Sequence, residues 1–488
     1  MNYSESLLMD EIENRIKRCI ESNLTSLNLS SLNLTELILP NDFPASIKAI
    51  FCNNNKLKKL PINLPDCIER IYCNNNELDE LPVNLPKSLI TLFCMNNKLK
   101  EIPISLPNSL RTLDCSHNEL EEILILPNSL VYLNCNYNHL VQLPEYLPNS
   151  VKELHCHMNQ LHELPTIPDS VEILKCNNNK LIELPTLPNS LRILHCDNNQ
   201  LKKLPNIPNS IERLTCSYNQ LKELPDNLPD TLQLLWCNNN QLIRLPNNLP
   251  NSLQTLYCKK NQLIELPNIL PESLKTLNCS FNQIKELPVW ESNTLKKLYC
   301  YRNQIKKLPT SLPDSIKILF CSFNQIEELP GKLSHRLPAS LKTLICSNNQ
   351  IKELPSIWPN SITELWMDNN QIIKLPETLP DSLQTLYCKN NQLLELPTVL
   401  PLSLENFLCS NNKYLHITNE NAIRFGLSVT PNYNEKIKHI QQIWKARLRV
   451  KRLYFLRELQ QHIDAFRFKP GNGGYVEIAN KNKNLFMI

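Results

Sequence analysis

A single pattern recurs along most of this chain of 488 residues. The stretches SLKTLICSNNQIKELPSIWPN and SLQTLYCKNNQLLELPTVLPL, which start at Ser340 and Ser382, both fit S-L-x-x-L-x-C-x-x-N-x-[LI]-x-x-L-P-x-x-x-P. The marker cysteine recurs in steps of 20 or 21 residues from Cys52 to Cys409, with one longer step after Cys321, and Met367 takes its place in one unit. A chain that repeats itself at this period folds as a stack of similar coils, each packed on its neighbours.

This repeat resembles the leucine-rich repeat, L-x-x-L-x-L-x-x-N/C-x-L, over about residues 24–415. The short period and the L-P…L-P second half are similar to the bacterial subclass of the YopM and IpaH effectors. The asparagine-rich, cysteine-marked style is similar to repeat proteins of giant DNA viruses of amoebae. The resemblance implies an α/β-class solenoid with a parallel β-sheet on the concave face and an extended, polyproline-like convex face. It does not define a function, because this scaffold serves many partners.

Each repeated residue type has a physical role in such a coil. The alternation L-x-x-L-x-C predicts a short strand whose leucines and cysteine face inward. The asparagine that follows, such as Asn324, Asn349 or Asn391, is predicted to bond backbone groups of its turn and of the next coil. Asparagine also tolerates left-handed backbone, which suits a chain with only 5 glycines. Proline excludes helix from the L-P-x-x-L-P half.

Nearly all of the 19 cysteines fall in one column, which invites a metal or redox interpretation. Zinc sites use close pairs such as C-x-x-C, and this chain has none. Met367 and Leu29 occupy the same column, so the sequence favours buried free thiols that act as small apolar residues. We expect no metal and no cofactor, and a reducing, cytoplasmic compartment of the producing or host cell. No apolar run is long enough to span a membrane.

The residue before each column cysteine varies, and it is predicted to face outward on the concave side. Its row is aromatic at Phe51, Tyr72 and Phe93, polar from Asp114 to Thr215, and largely aromatic or apolar from Trp236 onward. Such aromatics either reflect strand propensity and stacking between neighbours or form a partner-binding stripe. The predicted partner-binding residues are Trp236, Tyr257, Tyr299, Phe320, Trp366 and Tyr387, with His155, Lys175 and His195 as specificity residues or solvated surface.

The predicted organisation has three parts. Residues 1–23 form a helical cap, residues 24–415 the solenoid of about 19 units, and residues 416–488 a basic helical cap or tail. The first cap has an apolar face at Leu8, Ile12, Ile16 and Ile20. The tail is predicted to contain a helix over about residues 435–467.

Within the tail, IQQIWKARLRVKRL resembles the IQ motif that binds calmodulin-like light chains. The matching residues are Ile440, Gln441, Lys445 and Leu453. Ala446 stands where the motif has glycine, and Val450 where it has a basic residue. The alternatives are a cap helix that packs on the last repeat, and contact with a membrane or nucleic acid through the basic face.

These features together predict a non-enzymatic scaffold that binds a protein partner on the concave face; nucleic acid is not expected. A calmodulin-regulated adaptor is one alternative. The substrate-recognition part of a ubiquitin ligase system, as in the IpaH effectors, is another. Those ligases carry a catalytic cysteine in a large domain after the repeats. Here only about 75 residues follow the repeats, and none after Cys409 is cysteine.

Overall fold

The computed structural model describes residues 3–290, 292–310, 312–330 and 337–413, together with Leu415 and Phe425. These residues contain one α-helix and 19 short β-strands. In chain order the elements are α1 (Tyr3–Glu21), β1 (Ser26–Asn28), β2 (Ala49–Phe51), β3 (Arg70–Tyr72), β4 (Thr91–Phe93), β5 (Thr112–Asp114), β6 (Tyr132–Asn134), β7 (Glu153–His155), β8 (Ile173–Lys175), β9 (Ile193–His195), β10 (Arg213–Thr215), β11 (Leu234–Trp236), β12 (Thr255–Tyr257), β13 (Thr276–Asn278), β14 (Lys297–Tyr299), β15 (Ile318–Phe320), β16 (Thr343–Ile345), β17 (Glu364–Trp366), β18 (Thr385–Tyr387) and β19 (Asn406–Leu408).

Each strand pairs in parallel with the strand that follows it in sequence. The register is uniform, so that Trp236 lies opposite Tyr257, and Tyr257 lies opposite Asn278. Equivalent positions of successive coils therefore form rows across the sheet, with a spacing of about 4.8 Å between neighbours. This arrangement confirms the predicted solenoid of parallel strands.

The repeated leucines and cysteines form the core of the solenoid. In β12 the middle residue, Leu256, is fully buried, as are Leu253 before the strand and Cys258 after it. The same three positions are buried in coil after coil. Each coil thus completes the core of its neighbours, which explains why the pattern varies so little.

The predicted asparagine ladder is confirmed. The Asn324 side chain accepts a hydrogen bond from the backbone N–H of Ile305 (3.0 Å) and donates to the carbonyl oxygens of Cys300 (3.0 Å) and Cys321 (2.9 Å). The carbonyl oxygen of Cys300 also accepts a bond from Asn303 of the preceding coil (3.0 Å). The ladder asparagines thus connect neighbouring coils. Their side chains hydrogen-bond to backbone groups that are not bonded by strand pairing.

A left-handed residue immediately precedes each ladder asparagine. Its φ angle lies between 50° and 61° in 18 turns, from Asn54 to Asn411. Ten of these residues are asparagine, which supplies the conformation that glycine usually provides. Among the other eight are Phe281 and Phe323, and bulky side chains are rare in this conformation.

The serine that opens the motif forms a second ladder, for which the sequence analysis had no role. The Ser109 hydroxyl donates to the carbonyl oxygens of Lys87 and Leu89, each at 2.7 Å. Thr231 makes the equivalent bond to Ile211 (2.7 Å). A hydroxyl therefore usually stands where a coil turns back toward its strand, and in one coil the Cys67 thiol takes this position, 3.6 Å from the carbonyl oxygen of Ile47.

Helix α1 lies against β1, and the predicted burial of Ile20 on its apolar face is wrong. Ile12, Ile16 and Cys19 are buried, whereas Ile20 is 51% exposed. A strict four-residue spacing rotates away from a fixed face, because the α-helix has 3.6 residues per turn. Cys19, three residues after Ile16, therefore takes the place expected for Ile20. Its thiol lies 3.4 Å from the carbonyl oxygen of Ser26 in β1.

The column cysteines are free thiols buried in the core. Burial raises the pKa of the Cys258 thiol well above its usual value, and the pKa of Cys300 is raised for the same reason. The thiols also lie against backbone: Cys73 Sγ is 3.3 Å from the carbonyl oxygen of Phe93. Cys67 lies outside the column and is only half-buried. The column thiols are therefore expected to be chemically inert in the folded protein.

A thiol-reactive dye tests this expectation. Ellman's reagent should modify about one thiol, Cys67, rapidly in the native protein, and all 19 after denaturation, because the thiolate is the reactive form and burial disfavours it. The Cys67→Ala variant is the control and should lose the rapid phase. Rapid modification of column cysteines in that variant would contradict the buried core.

Several predictions lie outside the described residues. These are the helix over about residues 435–467 and its IQ-like residues Ile440, Gln441, Lys445 and Leu453. The chain divides into two compact units, Met1–His416 and Ile417–Ile488, and the first contains α1 and all the described strands. Within the described residues, no helix has the length and apolar character needed to cross a membrane.

Candidate partner-binding face

The first and third residues of each strand face away from the core. In most strands the middle residue is fully buried while these two are half-buried, as in β12 with Thr255 and Tyr257 around Leu256. We call the third residues of β1–β19 the outer row. All nine predicted partner-binding residues belong to it: His155, Lys175, His195, Trp236, Tyr257, Tyr299, Phe320, Trp366 and Tyr387.

The aromatic residues of the outer row contact one another in pairs across neighbouring strands. Trp236 stacks on Tyr257, with ring centroids 5.6 Å apart and planes 7° apart. Among the predicted residues, the other pairs are Tyr299–Phe320, edge-on at 5.1 Å, and Trp366–Tyr387, tilted at 4.9 Å. Phe51, Tyr72 and Phe93 of β2–β4 form a further contact series, at 4.4 and 5.2 Å. The structure thus brings the six predicted aromatics together two by two, with Asn278 and Ile345 between the pairs.

Exposure separates these residues into two groups. Tyr299, Tyr387 and His155 are only 6%, 5% and 3% exposed. Burial raises the pKa of Tyr387 to about 12. These three side chains offer little area to a partner and instead support their neighbours. Trp236, Tyr257, Phe320, Trp366, Lys175 and His195 are half-buried, so that part of each side chain faces outward.

The two outer-row tryptophans have a further polar feature. The indole N–H groups of Trp236 and Trp366 have no hydrogen-bond acceptor among the described residues. A tryptophan that is largely covered usually finds an acceptor for this group. Both Nε1 atoms are buried, as are those of Trp290 and Trp358 outside the outer row, so the outer-row tryptophans offer a partner ring surface and not a free donor.

The polar part of the outer row is hydrogen-bonded within itself. Asn134 donates to the carboxylate of Asp114 (2.9 Å), and the Thr215 hydroxyl donates to Asp197. Burial raises the pKa of the Asp114 carboxyl, and its bonds to Ser116 and Asn134 oppose that rise. Asp114, Asn134 and Thr215 therefore take part in hydrogen bonds within the solenoid.

His155 is the most constrained member of the polar part. Tyr132 packs edge-on against its ring at 5.3 Å, and the Glu153 carboxylate lies 3.5 Å from its Nε2 atom without completing a hydrogen bond. Burial holds the pKa of His155 well below 6.5, and the positive charges of Lys175, His157 and His195 lower it further. The buried imidazole is therefore neutral near pH 7.

This neutral imidazole should make stability depend on pH. A histidine whose pKa is lower in the folded chain is protonated first in the unfolded chain, so its stabilisation is complete above pH 6.5 and is lost as the pH falls below that value. Urea denaturation between about pH 7.5 and 5 should show this loss, and His155→Asn, which copies the neighbouring Asn134, should reduce it. The exposed His162→Gln variant should behave like the natural chain. Identical pH profiles for all three proteins would contradict the assignment.

Sequence reasoning missed a second group of aromatics, which lies just beyond the strands. Phe281 and Tyr301 are edge-on at 5.1 Å, and the Arg302 guanidinium lies over the rings of Phe281 (5.1 Å) and Phe323 (4.5 Å). The sequence does contain a signal for this group, because aromatic residues replace asparagine at some of the turn positions. The prediction had followed only the residue before each cysteine along the repeats, and these aromatics stand at other positions.

The described residues contain no group of three or more His, Cys, Asp or Glu placed to hold a metal ion. The repeated thiols are one per coil, and their neighbours are backbone carbonyl groups and leucines. What the face offers is therefore contact area and charge.

Solved structures of bacterial repeat proteins are similar to this chain. YopM from Yersinia enterocolitica is 33% identical with a TM-score of 0.72, and the match covers 84% of this chain and 94% of that one. YopM from Yersinia pestis, a leucine-rich effector protein, is 30% identical with a TM-score of 0.52, covering 84% and 93%. The functional domain of InlJ from Listeria monocytogenes, which includes a cysteine ladder, is 24% identical with a TM-score of 0.57 and covers 63% and 70%. That last likeness shows the fold alone. No protein-family model and no curated protein sequence matches the chain.

Proposed function

Since this chain belongs to the leucine-rich repeat family, with short repeats of the YopM type, we propose that it is a non-enzymatic scaffold that binds a protein partner. The binding surface is the outer face of the sheet, which the sequence predicts to be concave. The anchors are the half-buried aromatics of the outer row, Trp236, Tyr257, Phe320 and Trp366.

The observation that carries this proposal is the pairing of large rings on a face that the coil does not need for its own core. The core positions are leucine, cysteine and asparagine in coil after coil, whereas the outer row changes residue type. Tryptophan and tyrosine residues of this kind dominate the binding energy of many protein interfaces.

A triple substitution of Trp236, Tyr257 and Trp366 by alanine tests the proposal. Truncating three anchors should weaken a partner captured by the intact chain by about 30-fold or more, because a single such residue often contributes about 2 kcal/mol. Binding is measured with the purified partner by titration calorimetry. Tyr299 is left unchanged because it is 6% exposed and its loss would disturb the packing of Phe320.

The matched control removes exposed apolar side chains from another part of the coil. Ile62, Tyr146 and Ile269 are 79%, 79% and 73% exposed and lie in the proline-rich halves of their coils. Their triple alanine variant should bind like the natural chain, and both variants should unfold at similar temperatures. If the control loses binding while the outer-row variant keeps it, the partner binds the proline-rich halves of the coils and the proposal is wrong.

The compartment belongs to the same proposal. Free thiols in a buried column suit a reducing environment, so we place the protein in the cytoplasm of its producing or host cell. The calmodulin-type adaptor stays a prediction, because its residues lie outside the described part of the chain. No observation in the described residues favours the ubiquitin ligase alternative.

A further inference from the structure

One section of the sheet face has basic residues and no acidic residue at five chosen positions of each coil. For each coil we compare the charges at five positions. These are the residue before the strand, the first and third residues of the strand, and the second and third residues after the strand. From β12 to β16 these positions include no Asp or Glu. They include eight basic residues: Lys259, Lys260, Lys275, Lys296, Lys297, Arg302, Lys317 and Lys342.

Four of these residues form a continuous line, which we call the lysine row: Lys275, Lys296, Lys317 and Lys342. The four coils are direct neighbours, because the backbone N–H of each later lysine donates to the carbonyl oxygen of the one before it, at 2.8–2.9 Å. All four side chains are exposed. None takes part in an ion pair with another described residue.

The residue before the strand has a different charge pattern earlier in the array. There, opposite charges alternate and form cross-strand ion pairs, such as Lys152–Glu172 at 2.9 Å and Arg192–Glu212 at 2.7 Å. Like charges placed directly opposite each other on neighbouring strands are destabilising. The lysine row repeats that arrangement three times at a spacing of about 4.8 Å. Such a row does not stabilise the folded coil, but it would attract an anionic ligand.

The far side of the strands is positive as well. Beyond the outer row, Arg302 lies over Phe323 at 4.5 Å, and Lys259 lies over Phe281 at 5.2 Å. Aromatic faces hold these cations in place without neutralising their charge. Between the two positive margins the outer row contains Tyr257, Tyr299, Phe320 and Ile345, interrupted by Asn278. The surface is therefore a largely apolar strip with cations on both sides.

The occupant that fits this pattern has carboxylates on both sides of an apolar stripe. The lysine row spans about 14 Å at the strand spacing, which is close to three turns, about 16 Å, of an α-helix. On the assumption that the proposed function is correct, we propose that the β12–β16 surface binds an acidic amphipathic helix of the protein partner.

The charge of the rest of the chain argues against a long polyanion. Residues 434–488 contain 12 Lys or Arg and 4 Asp or Glu, which leaves 39 and 43 for the remainder, a net charge of −4. A nucleic acid that extended past the β12–β16 surface would meet an array without excess positive charge, whereas nucleic-acid-binding domains are usually basic throughout their binding face. A short acidic helix stays within the positive section.

The test uses the full chain and a labelled synthetic peptide of about 18 residues, long enough for the row at the helical rise. It carries Glu on both flanks of a Leu and Phe stripe. Fluorescence anisotropy should show binding that weakens as salt is raised. A scrambled peptide of the same composition and a single-stranded oligonucleotide of the same charge should bind at least tenfold more weakly.

Two quadruple variants locate the site. Changing Lys275, Lys296, Lys317 and Lys342 to Gln should weaken the peptide at least tenfold. Changing the exposed lysines Lys202, Lys203, Lys222 and Lys285 to Gln makes the same change in net charge and should leave affinity unchanged. Equal losses in both variants, no peptide binding at low salt, or tighter binding of the oligonucleotide would each overturn the inference.

The outcome separates this inference from the proposed function. If the lysine-row variant still binds the natural partner fully while the Trp236, Tyr257 and Trp366 variant does not, the acidic helix is excluded and the scaffold role stands. If the aromatic variant also keeps full binding, the proposed function itself fails.

Discussion

Replacing Asn324 with alanine should lower the free energy of unfolding by about 1–3 kcal/mol, the cost of leaving a buried polar group unpaired. Its side chain is the acceptor for the Ile305 N–H at 3.0 Å. The carbonyl oxygen of Cys300 is less affected, because it also accepts a bond from Asn303. The Ile305 N–H would therefore account for most of the loss.

Urea denaturation and amide hydrogen exchange together test this expectation. The Ile305 amide should exchange much faster in Asn324→Ala than in the natural chain. Gln325→Ala changes the adjacent, half-buried side chain and leaves the backbone bond from Gln325 to Ile305 in place, so it serves as the control. Equal stability of the two variants would mean that the ladder asparagines do not hold the coils together.

Replacing Leu256 with alanine should cost about 3–4 kcal/mol, within the range for a buried leucine whose removal leaves a cavity. Leu256 is fully buried in β12, and the fixed period of the coils limits how far their neighbours can move to fill the space. Because coils contact mainly their immediate neighbours, the damage should be local.

Hydrogen exchange measures how far this damage extends. Protection should fall in β11, β12 and β13 and stay unchanged near β2 and β18. Thr255→Ala, one residue earlier and facing outward, should change the free energy of unfolding by no more than about 0.5 kcal/mol. A loss of protection spread evenly along the array would show that the solenoid unfolds as one cooperative unit.

Much of the coil could be predicted from the sequence because every repeated residue reports the same environment many times. Leu256 and Cys258 are buried, and Asn324 bonds neighbouring coils, as the alternation and the turn chemistry indicated. Periodicity identifies residues that face one way, and the repetition removes the ambiguity of any single short strand.

The candidate site was predictable only in part, because exposure depends on neighbours in space. Tyr299 and Trp366 occupy the same position in their strands, yet only the tyrosine is buried, and no property of the single repeat distinguishes them. Phe281 was missed because it stands in a turn position where asparagine is usual. The β12–β16 surface emerges only when five coils are placed side by side.

The most direct test of the proposed binding face is a footprint of the bound partner on the chain. Hydroxyl-radical labelling with mass spectrometry should compare the free protein with its complex. Trp236, Tyr257 and Trp366 should become protected in the complex, while Ile62, Tyr146 and Ile269 should be labelled equally in both samples. Protection of the second set, with the first unchanged, would contradict binding on the outer row.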